Sequence, residues 1–219
     1  MRYPADHFLG AQRNGVNHTN LNLDVFDYVN GPTAVQDYPV ATAPLLDWYQ
    51  SRGMGSVRVV FTWEAVQTAT LIAGQPVPSG PIPPLGVKFQ TYWTNLTDLV
   101  FGLLTRGIYV VLSPWQFNSN IGMNGDTDIV YRGNAIDETR FAAFWEAFAV
   151  SINANIAGRS PSAAQAALYQ RMVAFDLINE PHAPGSNGPN DVGITLARWF
   201  ICAQKAVAAR QRESVVGAH

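Results

Sequence analysis

Three polar side chains stand together at the end of an apolar run. In FDLINEPH, Phe175 to His182, a buried-looking strand leads into Asn179, Glu180, Pro181 and His182. A carboxylate at the end of such a strand can donate or accept a proton when burial or a like charge raises its pKa. Position alone leaves a second reading of Glu180 open, an incidental residue in a surface turn. His182 reads as a supporting polar neighbour or as a metal ligand. No HxH, HExxH or Asp/His cluster accompanies it, so no metal is expected, and no cofactor.

Arg58 is the second candidate. It interrupts SVRVVFTW, a run otherwise built for burial. A guanidinium in such a run needs an anionic or acceptor partner. Holding a reactive carboxylate ionised is one use for it. A structural ion pair to Asp176 or Glu64 is the other. Trp63 and Trp115 each follow an apolar strand run. An aromatic face at a strand end can stack on a sugar ring, or it can close the core as a lid. Glu64, just after VVFTW, is a further carboxylate, which can equally cap the next short helix. The glycine-containing loops GMNGD and YRGN match no phosphate-binding pattern, since no GxxxxGK or GxGxxG follows a strand. The one cysteine, Cys202, excludes an intrachain disulfide, and its setting in WFICAQ reads as a buried helix position.

These candidates need elements to carry them. SVRVVFTW, IYVVLSP and MVAFDLIN are rich in β-branched and aromatic residues, and a short strand is expected around Gly15 to Asn17. SVRVVFTW is apolar on both parities apart from Arg58, which predicts cover on both faces, as in a parallel sheet. ATAPLLDWYQSRG predicts a short helix with Leu45, Leu46, Trp48 and Tyr49 on its apolar side and Gly53 at its end. In KFQTYWTNLTDLVFGLLTRG, Phe89, Tyr92, Leu96, Leu99 and Leu103 recur at helical spacing, and Gly107 is the expected stop. FAAFWEAFAVSINANIAG carries Phe141, Phe144, Phe148 and Ile152 on one stripe. SPSAAQAALYQ extends that helix or forms its own, and ITLARWFICAQKAVAARQRE predicts another. Residues 1–40 read as turn-rich and irregular, and Gly74 to Gly86 as a Pro/Gly loop too punctuated for either regular element.

Strand and helix alternate, with long polar loops after the strands. The expected fold is α/β, built from (β/α) units with parallel strands and outer helices. The 219 residues form one domain of about four such units, roughly half of a TIM barrel, which typically needs about 250 residues for eight. Function is then expected at the carboxyl ends of the strands.

The charge balance, 14 Lys plus Arg against 16 Asp plus Glu, offers no basic stripe, so neither nucleic acid nor an anionic membrane is an expected partner. Only 14% of residues are charged, low enough that a partner could cover part of the exterior. MRYPADHFLG contains no apolar signal segment, and no run reaches about 18 apolar residues.

SRGMGSVRVVFTWEAVQ, RGIYVVLSPWQF and VAFDLINEPH, in that order and with NGVN near residue 14, resemble the first half of glycoside hydrolase family five, the cellulase-like retaining hydrolases. The likeness is strongest to the endo-β-1,4-glucanase branch, whose members are often secreted. It implies that Glu180 is the acid/base, that Asn179 binds the sugar 2-hydroxyl, that Arg58 holds the environment of the nucleophile, and that Gly15 to Asn17 end the first strand. The family usually places a histidine where this chain has Trp115. Its nucleophilic glutamate belongs to a later strand that no residue here matches. The resemblance thus implies an amino-terminal half that acts on β-glucan or oligosaccharide, completed by a second copy or by a complementing second half. The alternative is a noncatalytic carbohydrate-binding relative that uses Trp63, Trp115 and Asn179 without hydrolysis.

Overall fold

A computed structural model describes residues 15–19, 26–27, 31–32, 42–72, 75–78, 80–115, 138–176 and Gln204. In chain order the elements are β1 (Gly15–Thr19), β2 (Phe26–Asp27), β3 (Gly31–Pro32), α1 (Ala43–Ser51), β4 (Ser56–Thr62), α2 (Trp63–Val66), β5 (Ala69–Ile72), β6 (Gln75–Pro78), α3 (Val87–Leu104), β7 (Tyr109–Trp115), α4 (Glu138–Arg159), α5 (Ala163–Arg171) and β8 (Val173–Phe175). The four expected strands pair in parallel, in the order β1-β4-β7-β8. Among the described residues this sheet is open, with β1 and β8 outermost. It is the partial barrel that the alternation of strands and helices predicts.

Strand parity divides the sheet into two chemistries. Val57, Val59 and Phe61 of β4, Val110 and Leu112 of β7 and Val173 of β8 are buried in the cluster shared with the helices. From the helices, Leu96, Leu99 and Leu103 of α3 and Phe144, Phe148 and Ile152 of α4 meet them. Phe61 stacks on Phe148 at 4.7 Å between ring centres, and Phe175 approaches the same ring edge-on at 6.2 Å. All five apolar positions expected on α3 are buried. The other parity carries Arg58, Val60, Ser113 and Asp176, which form the inner face.

Both expected glycine stops sit in the left-handed region, Gly53 at φ 67° and Gly107 at φ 75°. After α3, Ile108 N–H donates to Leu103 C=O at 3.1 Å and Gly107 N–H to Leu104 C=O at 3.0 Å. These bonds satisfy carbonyls that the ending helix leaves open, and they turn the chain directly into β7. SPSAAQAALYQ forms a separate helix, α5, because Ser162 supplies its own N-cap to Gln165 N–H at 3.2 Å.

Three expectations are corrected. The Gly74 to Gly86 stretch is not all loop: Gln75–Pro78 pairs antiparallel with Ala69–Ile72. Pro76 and Pro78 are two residues apart, so both missing N–H groups fall on one edge of a two-stranded ribbon and leave the pairing edge intact. Within the irregular amino-terminal 40 residues, β2 and β3 form a two-residue antiparallel pair. Trp48 is not on the buried side of α1 but 46% exposed, with the Arg52 guanidinium 5.6 Å from its ring centre. Side chains that cap a helix face with a cation need not be buried. The side chain of Phe141, within α4, lies outside the described residues, as does the helix expected to contain Cys202, except that Gln204 is helical.

Candidate active site

Arg58 leaves β4 opposite Val111, which in turn stands opposite Ala174. Its guanidinium meets groups further along the strands. Nη2 donates to Asp176 Oδ2 at 2.6 Å and Nε to the same oxygen at 3.1 Å. Nη2 also donates to Ser113 Oγ at 2.9 Å, and Ser113 Oγ–H donates to Asp176 Oδ2 at 2.9 Å. The three side chains close a triangle. Ser113 is wholly buried, whereas the Arg58 and Asp176 side chains keep 29% and 37% exposure. Of the two readings for Arg58, an ion pair to Asp176 is what the sheet contains.

Asp176 follows the last paired residue of β8, and its N–H donates to Leu112 C=O at 2.9 Å, so the β8 alignment continues to it. Asn179 and Glu180 come three and four residues later in the sequence; they and His182 lie outside the described residues. Asn17 is paired in register with Arg58. The backbone of Trp115 closes β7 opposite Thr62, the last residue of β4. The side chains of Asn17, Glu64 and Trp115 lie outside the described residues.

Trp63 is a core residue. It has no exposed surface, its ring lies 4.2 Å from that of Phe144, and its Nε1–H donates to Gln67 Oε1 at 2.8 Å. A ring covered on all sides offers no face to a sugar, so the lid reading describes it. Ser113 was not among the sequence candidates. Its signal was present: in YVVLSP it is the one small hydroxyl residue, two residues from Val111 and so on the parity that faces Arg58.

Among the described residues no group of three or more His, Cys, Asp or Glu could hold a metal ion. No helix there is long and apolar enough to cross a membrane. A surface depression of about 530 Å³ lies at the start of α3, lined by Gly86, Val87, Gln90, Thr91, Thr94 and Asn95. None of these described lining residues carries a titratable side chain.

No family model and no curated protein matches the sequence. Solved structures do match in fold. A family GH5 lichenase from Caldicellulosiruptor sp. F32 superposes with a TM-score of 0.58 at 11% identity, over 95% of this chain and 51% of its own. A trimodular GH5_4 subfamily endoglucanase gives 0.56 at 15% identity, over 95% of this chain and 33% of its own. A cellulase in complex with an inhibitor gives 0.50 at 17%, over 89% and 46%. The chain thus spans about half the length of these structures or less. What it shares with these structures is a fold, an open parallel (β/α) sheet that accounts for part of theirs.

Proposed function

We propose that this chain is the amino-terminal, proton-transferring part of a retaining β-1,4-glucan hydrolase. Glu180 is the acid/base, Asn179 binds the sugar 2-hydroxyl, Trp115 offers an aromatic face to the sugar, and Arg58 supports the site. The observation that carries this reading is the parallel pairing of β8 with β7, whose carboxyl end, continued to Asp176, comes three residues before Asn179 and four before Glu180 in the sequence. In (β/α) barrels that side carries the catalytic residues. The fold match to a lichenase and an endoglucanase supports β-glucan as the substrate class.

Retaining hydrolysis needs two carboxyl groups about 5–5.5 Å apart, one acting as nucleophile while the other protonates the leaving oxygen. The two other carboxylates that follow strands do not fill the second role: Asp176 is paired with Arg58, and Glu64 follows β4 at the start of α2, where the resemblance gives it no nucleophile role. The nucleophile is therefore assigned to polypeptide outside these residues, in a complementing second half.

Calorimetric titration with a soluble β-1,4-gluco-oligosaccharide tests the reading. Binding is expected, weakened in Asn179→Ala and retained in Glu180→Gln. A wild-type chain that takes up no heat of binding would overturn it.

A further inference from the structure

The Arg58 side chain runs uphill. It starts level with Val111 and Ala174 and ends against Ser113 and Asp176, each two residues further along its strand. Two residues of strand rise about 7 Å, so the guanidinium is delivered that far toward the carboxyl ends. An unrestrained Arg stem has several rotatable bonds and would sample other directions. Here one carboxylate oxygen accepts from Nε and Nη2, which fixes an edge of the guanidinium plane. The Ser113 hydroxyl accepts from Nη2 and donates to the same oxygen. Being wholly buried, Ser113 cannot turn to water instead.

Stability alone does not call for this arrangement. A partly exposed ion pair contributes little, and apolar residues in its place are often no worse. The helix-facing residues at the same level, Val59, Phe61, Leu112 and Phe175, are all apolar. The polar atoms are confined to the inner face. We propose that Asp176 and Ser113 are positioning residues for sugar binding, which hold the Arg58 guanidinium at a fixed height and angle toward the carboxyl end of the sheet. This rests on the β-glucan reading above.

The test uses the full chain, titrated with a soluble β-1,4-gluco-oligosaccharide in the calorimeter and melted by circular dichroism, as wild type, Asp176→Asn, Asp176→Glu and Ser113→Ala. Asp176→Glu keeps the charge but moves the carboxylate by one methylene. It should recover most of the melting temperature lost in Asp176→Asn, yet bind about tenfold more weakly than wild type, a difference of about 1.4 kcal/mol. Ser113→Ala should stay folded and bind several-fold more weakly. Affinity that recovers in step with stability across the Asp176 variants would make the triangle purely structural and overturn the proposal. If both Asp176 variants fail to fold, Ser113→Ala decides: folded with wild-type affinity, it overturns the proposal. Absence of binding by the wild type would remove the sugar site itself, and that result appears before any variant is made.

Discussion

Arg58 and Asp176 belong to strands that do not touch: β7 lies between β4 and β8, yet their side chains meet at 2.6 Å across it. Ser113 of the intervening strand fills the gap. The pair therefore joins three strands on the inner face, while on the outer one Phe148 of α4 links Phe61 of β4 to Phe175 of β8. Removing Asp176 leaves a guanidinium and a buried hydroxyl short of an acceptor. Asp176→Ala is expected to lower unfolding stability by about 1–3 kcal/mol, with partial exposure holding it below the cost for a fully buried pair. Urea melts of Asp176→Ala, Ser113→Ala and the double variant should show losses that are not additive. Additive losses would mean that the triangle does not act as a unit.

The two tryptophans that follow strand runs should separate by phenotype. Trp63→Ala removes a wholly buried ring packed at a tilt against Phe144, and a loss of about 3–5 kcal/mol is expected. Trp115→Ala should instead weaken oligosaccharide binding more than it lowers the melting temperature, if that ring lines the site. A Trp115→Ala chain that aggregates, with no selective change in binding, would place Trp115 in the core as well.

Gly80 closes the base of the β5–β6 hairpin, where its N–H donates to Thr68 C=O at 3.1 Å. A Cβ there would stand 1.7 Å from Thr68 Oγ1 and 3.0 Å from its Cβ. Gly80→Ala should therefore destabilise by about 1–3 kcal/mol through overpacking. Adding Thr68→Ala should recover part of that loss, measured by the same melts. No recovery would mean that the strain lies elsewhere.

The sheet was legible because its strands are short, β-branched and separated by periodic helices. β4, β7 and β8 each carry that signal without depending on distant residues. The hairpin was not legible: Pro76 and Pro78 look like strand breakers, and only the edge they leave intact shows otherwise. Trp48 looked buried because helical spacing locates an apolar side chain but does not reveal how wide the covered stripe is. At the candidate site, the question of what Arg58 pairs with was answerable from the sequence only as a choice between Asp176 and Glu64. Register decided it, and register depends on which strand lies between which. Ser113 required the same information.

Tyr49 gives a pH signature of the packing of α1. Burial pushes its phenol above the ordinary value of 10.0. The unfolded chain then releases this proton first as pH rises. The stabilising contribution is complete below pH 10.0 and is lost as pH climbs from there through the higher folded value. Stability measured across that window should fall less steeply in Tyr49→Phe than in wild type. Equal slopes would show that Tyr49 is not the group responsible.

The last prediction concerns turnover. If Glu180 supplies only proton transfer, this chain by itself should not hydrolyse an activated aryl β-cellobioside. That leaving group needs little acid assistance, but the reaction still needs a nucleophile. A 2-fluoro-glycoside inactivator should likewise leave no covalent mark, because the mark forms on the nucleophile. Acid/base action near neutral pH also depends on burial and a neighbouring anion to keep a glutamate protonated. Glu180 without its partner carboxylate should therefore be a poor proton donor. Added carboxy-terminal half-barrel from a related endoglucanase should restore both adduct and hydrolysis, with the adduct on the added chain. Glu180→Gln should then abolish hydrolysis of unactivated β-glucan while sparing most of the labelling by an activated inactivator. Intact-mass analysis distinguishes the outcomes. A stoichiometric glycosyl adduct on this polypeptide alone would show that it carries its own nucleophile, and that it is not merely the proton-transferring part.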